Sequence, residues 1–529
     1  MSSVTRRLFL SGTAAGLGAL SALGLGPFNL LGASPAFAQQ SAPRRGGVLR
    51  ISVDQAASVI HPLRTRVNPE YLVAELLYSG LTRLAAGMQV EPDLAESWAP
   101  DQTLTEWTFV LRQGLTFHDG SPCTAADVVA TFTAILDPKT ASPGRTNVGP
   151  IKEVTAKDER TVLFRLTSPY ADLPVALAYT NARIVPAKVI ETDLDSLSRS
   201  AVGTGPFKLV SFEPDRKIVV ERNPAYYDPA RPHLDRVEVL VYPDRTAEAS
   251  ALISGDIDLM LGTAPGEYQR LEKASGVKAL RVPSGQFLNV NMGCDQKPFS
   301  DPRVRKALAL AIDREAMVGF VAGGYGTPGN DTPISPAYRF HREQPLRKPD
   351  LVQAKKLLAE AGYPNGVDLT MIASDKPGTR TELAVAIREM AKPAGFRIQV
   401  QTMPHATYLD QVWKKGNFYV GFYNMQATAD AVFSLLYTSD AAWNETRWNN
   451  KDFDALVAEA RTKTDETERA ALYAKAQQLM HDEVPSVIPV FFDLLAARRD
   501  YVEGYELHPR GSVFRLDFVS LGAAAPKRS

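Results

Sequence analysis

The stretch VEPDLAESWAPDQTLTEWTFVLRQGLTFHDGSPCTAADVVATF, residues 90–132, decides how this chain is read. It runs as a tryptophan-bearing strand, a turn, and then F-x-D-G-x-P-x-T-A-x-D-V opening a helix. Gly120 and Pro122 shape the turn. Thr124 precedes Ala-Ala-Asp127, so a hydroxyl cap with an acid in the first turn starts the helix. Trp98 and Trp107 lie on this scaffold and read as core rather than as ligand contacts.

The same alternation continues outward. GGVLRIS is a glycine-led first strand with Val48, Leu49 and Ile51. Residues 162–166 (VLFRL) and 237–242 (VEVLVY) are β-rich runs, and 286–292 (QFLNVNM) alternates apolar with polar. Residues 207–212 and 217–222 form a hairpin around Glu213-Pro214-Asp215-Arg216. Asp301 caps a helix with Pro302 at its first position and Val304, Leu308, Ala311 and Ile312 on one stripe. Asp350 caps another, which Gly362 ends before Pro364. Further helices are expected at 452–461 and 465–482. GTGP at 203–206 is too short to cradle phosphate and reads as a turn entering a strand. Mixed strand and helix throughout argues an α/β or α+β chain.

The 529 residues allow two to four domains, and 59 basic against 59 acidic residues leave no net charge. No basic block suggests a nucleic-acid partner. TRRLFLSG puts twin arginines before an apolar run that closes on Ala36-Phe37-Ala38, a small-x-small cleavage site. Residues 1–38 are therefore expected to be an export signal of the twin-arginine type, leading to the periplasm. No cysteine lies near the cleavage site, so no lipid anchor is expected there. Cys123 and Cys294 are the only cysteines, and their spacing leaves a bridge and two free thiols both open.

Catalytic patterns are missing. The seven histidines, at 61, 118, 233, 341, 405, 481 and 508, include no pair at the i, i+4 spacing of a helical zinc site. There is no nucleophile elbow and no phosphate loop. No enzyme activity, metal or cofactor is expected.

Five blocks carry a resemblance: residues 90–132, VGTGPFKLVSF (202–212), RNPAYYDPARPHLDRVEV (222–239), ALISGDIDLM (251–260) and KPFSDPRVRKALALAIDRE (297–315). Together they resemble the extracytoplasmic solute-binding proteins of peptide-type ABC importers, family 5, the dipeptide, oligopeptide and nickel-binding type. The resemblance implies a type II periplasmic-binding-protein clamshell: two α/β lobes, with an extra domain inserted in the first. Lobe I would comprise 46–80, 202–283 and 500–529; the extra domain, 81–201; lobe III, 284–499. Crossovers near 283–290 and 496–501 would form the hinge. The protein would be a monomer that captures a peptide or small solute between its lobes and delivers it to the ABC permease.

The binding stretch implied by the resemblance is FYNMQATADAVFSLLYTSDAAWNETRWNN, 422–450. Peptide-binding members carry a motif like G-W-x-x-D-x-x-D-P here, whose aspartate holds the ligand ammonium. In this chain Asn424-Met425 replace Gly-Trp, the anchoring position falls on Gln426 or Thr428, and Asp430 matches the later carboxylate. Either Asp430 has become the anchor or the ligand lacks a free α-amine, as in capped peptides, opine-like conjugates or small glycosides. Asn424, Gln426 and Asn444 offer amide donors and acceptors. Trp443 and Trp448 can stack on a ligand, or pack as core of lobe III. Glu445 and Arg447 can meet ligand charges, or each other. Phe433 and Tyr437 read as core. Tyr71 and Arg64 from lobe I, and Phe287 and Asn289 beside the hinge, complete the candidates. The competing functions are a secreted hydrolase, a metal-chelate or haem receptor of the same fold, and a periplasmic folding helper.

Overall fold

The computed structural model describes residues 43–528. The expected export signal lies outside the described residues. Among the described residues, no helix is long and apolar enough to cross a membrane.

Eleven strands form one sheet. From edge to edge, ten of them begin at Phe396, Val367, Phe418, Val277, Ser486, Leu259, Val48, Arg236, Lys217 and Phe207. The short strand Gly326–Pro328 pairs off this path with Ser486–Arg499. The expected hairpin is present as Phe207–Glu213 against Lys217–Arg222. Val48–Val53 is buried between parallel neighbours, which suits its four apolar residues, Val48, Leu49, Ile51 and Val53.

Two long antiparallel strands, Val277–Met292 and Ser486–Arg499, join the halves of this sheet. Their register shifts between Pro283 and Gln286, facing Asp493 and Phe492. Proline has no N–H to give a ladder, so the break at Pro283 has a chemical cause. Ala496 and Ala497 pair with Leu280 and Ala279, and Ala497 also pairs with Met260. The 14-residue strand runs on through this region because nothing in it breaks the ladder.

Separate cores flank the crossing. Leu49, Ile51, Val237 and Phe207 belong to one, which continues into a four-stranded antiparallel sheet through Phe109 and Phe164. Leu288, Val420, Ile387 and Phe396 belong to a second. Phe433, Tyr437, Phe453 and Tyr473 lie in a third, as the sequence led us to expect of the first two.

The opening stretch builds the small sheet. Trp107 is buried and Trp98 stacks on Phe109 with centroids 6.0 Å apart. Asp127 accepts from the Thr124 backbone N–H at 2.8 Å and from that of Ala187 at 2.8 Å, so one carboxylate starts the helix Ala125–Leu136 and ties it to a second helix. Asp301, Asp350 and Asp465 cap their helices with side-chain bonds. The last two expected helices are Lys451–Ala460 and Glu466–Glu483. At the GTGP turn, a Cβ on Gly203 would stand 1.9 Å from the Leu77 carbonyl oxygen. The turn requires glycine because two backbones meet there. Cys123 and Cys294 are both free thiols.

Candidate solute-binding cleft

A cavity of about 610 Å³ opens where the halves meet. One wall carries Tyr71 from the helix Asn68–Leu77, the loop around Gly262, and Arg510 to Ser512. The other carries Gln286, Phe422, Asn424 and Gln426. Three of the sequence candidates, Tyr71, Asn424 and Gln426, therefore converge on one space.

Local structure fixes these groups. The strand Phe418–Tyr423 ends at Asn424, whose Oδ1 accepts from Gln286 Nε2 at 2.8 Å. The Gln426 backbone N–H donates to the Tyr338 hydroxyl at 2.9 Å, which holds the turn and leaves its side-chain oxygen free of a protein partner. Burial and the neighbouring Tyr179 push the Tyr71 phenol far above its ordinary range, so it stays a neutral donor.

Charge on the wall is unevenly matched. Arg245 is held by Asp54 at 2.6 Å and Glu248 at 2.8 Å. Asp493 accepts from Arg281 at 2.5 Å. Arg510 has no such partner: its Nε and Nη1 are closed to solvent and make no hydrogen bond. Burial lowers its pKa from the usual arginine value, and the groups acting against that are the phenols of Tyr179, Tyr338 and Tyr71. The residue lies in HPRG, a turn fixed on three sides. Ser284 donates to the Pro509 carbonyl at 2.5 Å, the Arg510 N–H donates to His508 Nδ1 at 3.2 Å, and the Gly511 N–H donates to the His508 carbonyl. His508 Nε2 lies 2.9 Å from the Ala85 carbonyl, and burial lowers its pKa to about 4, so the ring is neutral and carries its proton on Nε2. Gly511 takes φ +67°, a left-handed position that suits glycine. Sequence reasoning missed Arg510 because a lone arginine in a polar carboxyl-terminal run carries no periodic or motif signal.

The model of bacterial extracellular solute-binding proteins, family 5, middle region, matches residues 89–456. The chain belongs to this family. It is 27% identical to the glutathione-binding protein GsiB of Escherichia coli (strain K12) over 470 residues, 87% of this chain and 92% of that one. Among solved structures it is similar to the binding protein AgaA in complex with agropinic acid from A. tumefaciens R10. That likeness has 26% identity, TM-score 0.75, and coverage of 90% of this chain and 99% of that one. It also resembles the ABC transporter substrate-binding protein CtaP of Listeria monocytogenes, at 26% identity, TM-score 0.81, and coverage of 90% and 100%. DppA of Helicobacter pylori, in complex with peptide STSA, matches at 27% identity, TM-score 0.75, and coverage of 90% and 98%. The protein is thus a substrate-binding component of an ABC importer.

In this family 5 protein, the other candidates are engaged elsewhere. Thr428 caps the helix Ala429–Leu436, accepting from Ala431 N at 3.0 Å. Asp430 is buried and accepts from Arg461 Nε at 2.7 Å; desolvation raises its carboxyl pKa even so. It borders a second space, of about 360 Å³, shared with Gln426 and with Tyr170 beside the small sheet. Arg64 pairs with Asp195 at 2.6 Å. Phe287 is fully buried between Tyr423 and Phe491. Asn289 is buried and donates to Asn291 at 2.7 Å.

The tryptophan loop packs on the protein. Trp448 is buried and donates to Glu483 at 2.7 Å. Trp443 stays 36% exposed and meets Trp413 edge-on at 5.4 Å, outside the main cavity. Asn444 donates to the Trp448 carbonyl at 2.8 Å and braces the loop. Arg447 takes φ +52° and donates to Asp295 at 2.7 Å. Glu445 does not pair with Arg447; it accepts from the Tyr423 hydroxyl at 2.5 Å and from Asn291. Desolvation raises its pKa from 4.5 to about 7.

Proposed function

We propose that this protein carries a short peptide or a small peptide-like solute, bearing amide or hydroxyl groups, to the permease of an ABC importer. The observation that carries the reading is the 610 Å³ space between two separately packed halves joined by crossing strands, with Asn424, Gln426 and Tyr71 on its walls. That volume falls in the roughly 300–1,000 Å³ range of small-molecule sites. The groups presented from 424–426 are amides, which suit peptide bonds as both donor and acceptor.

We assign the halves to two lobes that close on the solute, with residues 81–201 as an extra domain beside the first. The carboxyl-terminal return to the first lobe is placed at Asp493, which the strand pairing of Ala496 and Ala497 supports. Binding drives closure only by as much as the solute prefers the closed state. The mature chain acts as a periplasmic monomer after twin-arginine export and cleavage near Ala38. The test is mass spectrometry of small molecules released when the purified protein is denatured, followed by titration with the compound found. Stoichiometric saturation and a raised melting temperature are expected. Turnover of the compound without saturation would point to a hydrolase instead.

A further inference from the structure

We infer that the solute carries a carboxylate and that Arg510 is its anchor. This deepens the peptide-like reading of the cleft and rests on it. Arg510 borders the cavity, and its Nε and Nη1 are buried without a partner. Among the described residues no carboxylate forms an ion pair with it, whereas the other charged groups on the wall, Arg245 and Asp493, are both paired. The cavity therefore presents one uncompensated positive charge. A buried charge left alone is unfavourable, and a carboxylate that reaches Nη2, the guanidinium nitrogen not closed off by the protein, would supply it with a charge-assisted bond.

The position of Arg510 gives that charge a second role. Ser284, inside the register shift of the first crossing strand, holds the Pro509 carbonyl. The guanidinium thus sits on a turn fastened to the place where the halves join. A carboxylate bound there is gripped from the first half while Asn424 and Gln426 meet the rest of the solute from the other. The same arrangement fits the lack of an acidic anchor, since Asp430 is already paired with Arg461. The structure selects for an acid end and not for an amine end.

The experiment uses the mature protein, stripped of bound solute, with two tripeptide libraries of uncharged residues: free acids and the matching carboxyl-terminal amides. Wild type is expected to retain acids over amides by about ten- to a hundredfold, the value of a charge-assisted bond. R510M should lose the preference while its unliganded melting temperature does not fall, because it removes an unpaired charge and keeps the aliphatic stem. R380M serves as control: Arg380 also lacks partners at Nε and Nη1 and stacks over Tyr408 and over the back of the wall residue Phe422, but its own side chain does not line the cavity, so the preference should persist. Equal retention of acids and amides by wild type, or an undiminished preference in R510M, overturns the anchor. A lower unliganded melting temperature for R510M also overturns it, by revealing a structural role. Retention of neither library overturns the peptide class itself, a separate outcome.

Discussion

Asp430 and Arg461 form a 2.7 Å ion pair in which the carboxylate is buried and the guanidinium is partly open to solvent. The pair uses the acid that the sequence offered as an alternative ligand anchor. Ser434 adds a hydroxyl donor to the same oxygen, at 3.3 Å. We expect Asp430→Asn to act on stability first, because it breaks a hydrogen-bonded charge pair from its buried side. The cost should be about 1–3 kcal/mol, discounted for the exposure of Arg461. Urea unfolding and titration of the co-purified solute check this. A large affinity loss with unchanged stability would instead make Asp430 a ligand anchor.

Glu445 supplies a pH dependence. Its folded pKa, about 7, stands above the ordinary 4.5 because burial penalises the charged form. Between those values the folded state holds more protons than the unfolded one, so this group's contribution to stability falls as pH rises from about 4.5 through 7. Glu445→Gln should remove that slope. The variant should gain on wild type above pH 7, and the difference should vanish near pH 4.5. Denaturation midpoints of both proteins at matched pH measure it; parallel profiles would count against a buried, protonated Glu445.

Much of the scaffold could be read from the chain. Helix caps at Thr124, Asp301 and Asp350 are local events within three or four residues, and they lie where the pattern places them. The register shift opposite FFDLLAARR was not legible, because that segment is one unbroken strand and the irregularity follows Pro283 on its partner, some 200 positions away. Polar and aromatic residues in 422–450 carried no sign of which face they take. Asn424 and Gln426 reach the cavity, while Asn444 and Trp448 close a loop on themselves. Arg510 was invisible for the opposite reason: its meaning comes from missing partners, which only the assembled fold reveals.

The GTGP turn predicts a strong glycine effect. Any Cβ at Gly203 or Gly205 runs into the backbone of Leu77, whereas Gly114 has open space around it. Gly114 does take φ +68°, so alanine there costs the left-handed penalty of about 1–2 kcal/mol and no more. Gly203→Ala should destabilise by clearly more, since the helix Asn68–Leu77 must shift and Tyr71 with it. We expect a fall in melting temperature accompanied by weaker solute binding. Equal melting temperatures for the two alanine variants would refute the close backbone approach.

Trp443 and Trp448 should separate in mutagenesis. Trp448 is buried against Phe453, and its indole N–H satisfies Glu483, which also accepts from Asn450 at 2.8 Å. Trp448→Phe keeps the ring and removes the donor, so a loss of about 1–2 kcal/mol is expected from the stranded carboxylate oxygen. Trp443 is half open and touches Trp413 by its edge, so Trp443→Phe should cost less, within about 1 kcal/mol. Neither change should alter solute affinity more than about twofold, because neither ring borders the 610 Å³ cavity. Trp443 should still report on binding, since Tyr423 at 6.3 Å links it to the strand that ends at Asn424. Solute should shift the emission of wild type and Trp448→Phe, and the shift should shrink in Trp443→Phe. A tenfold affinity loss in Trp443→Phe would place that indole against the solute instead.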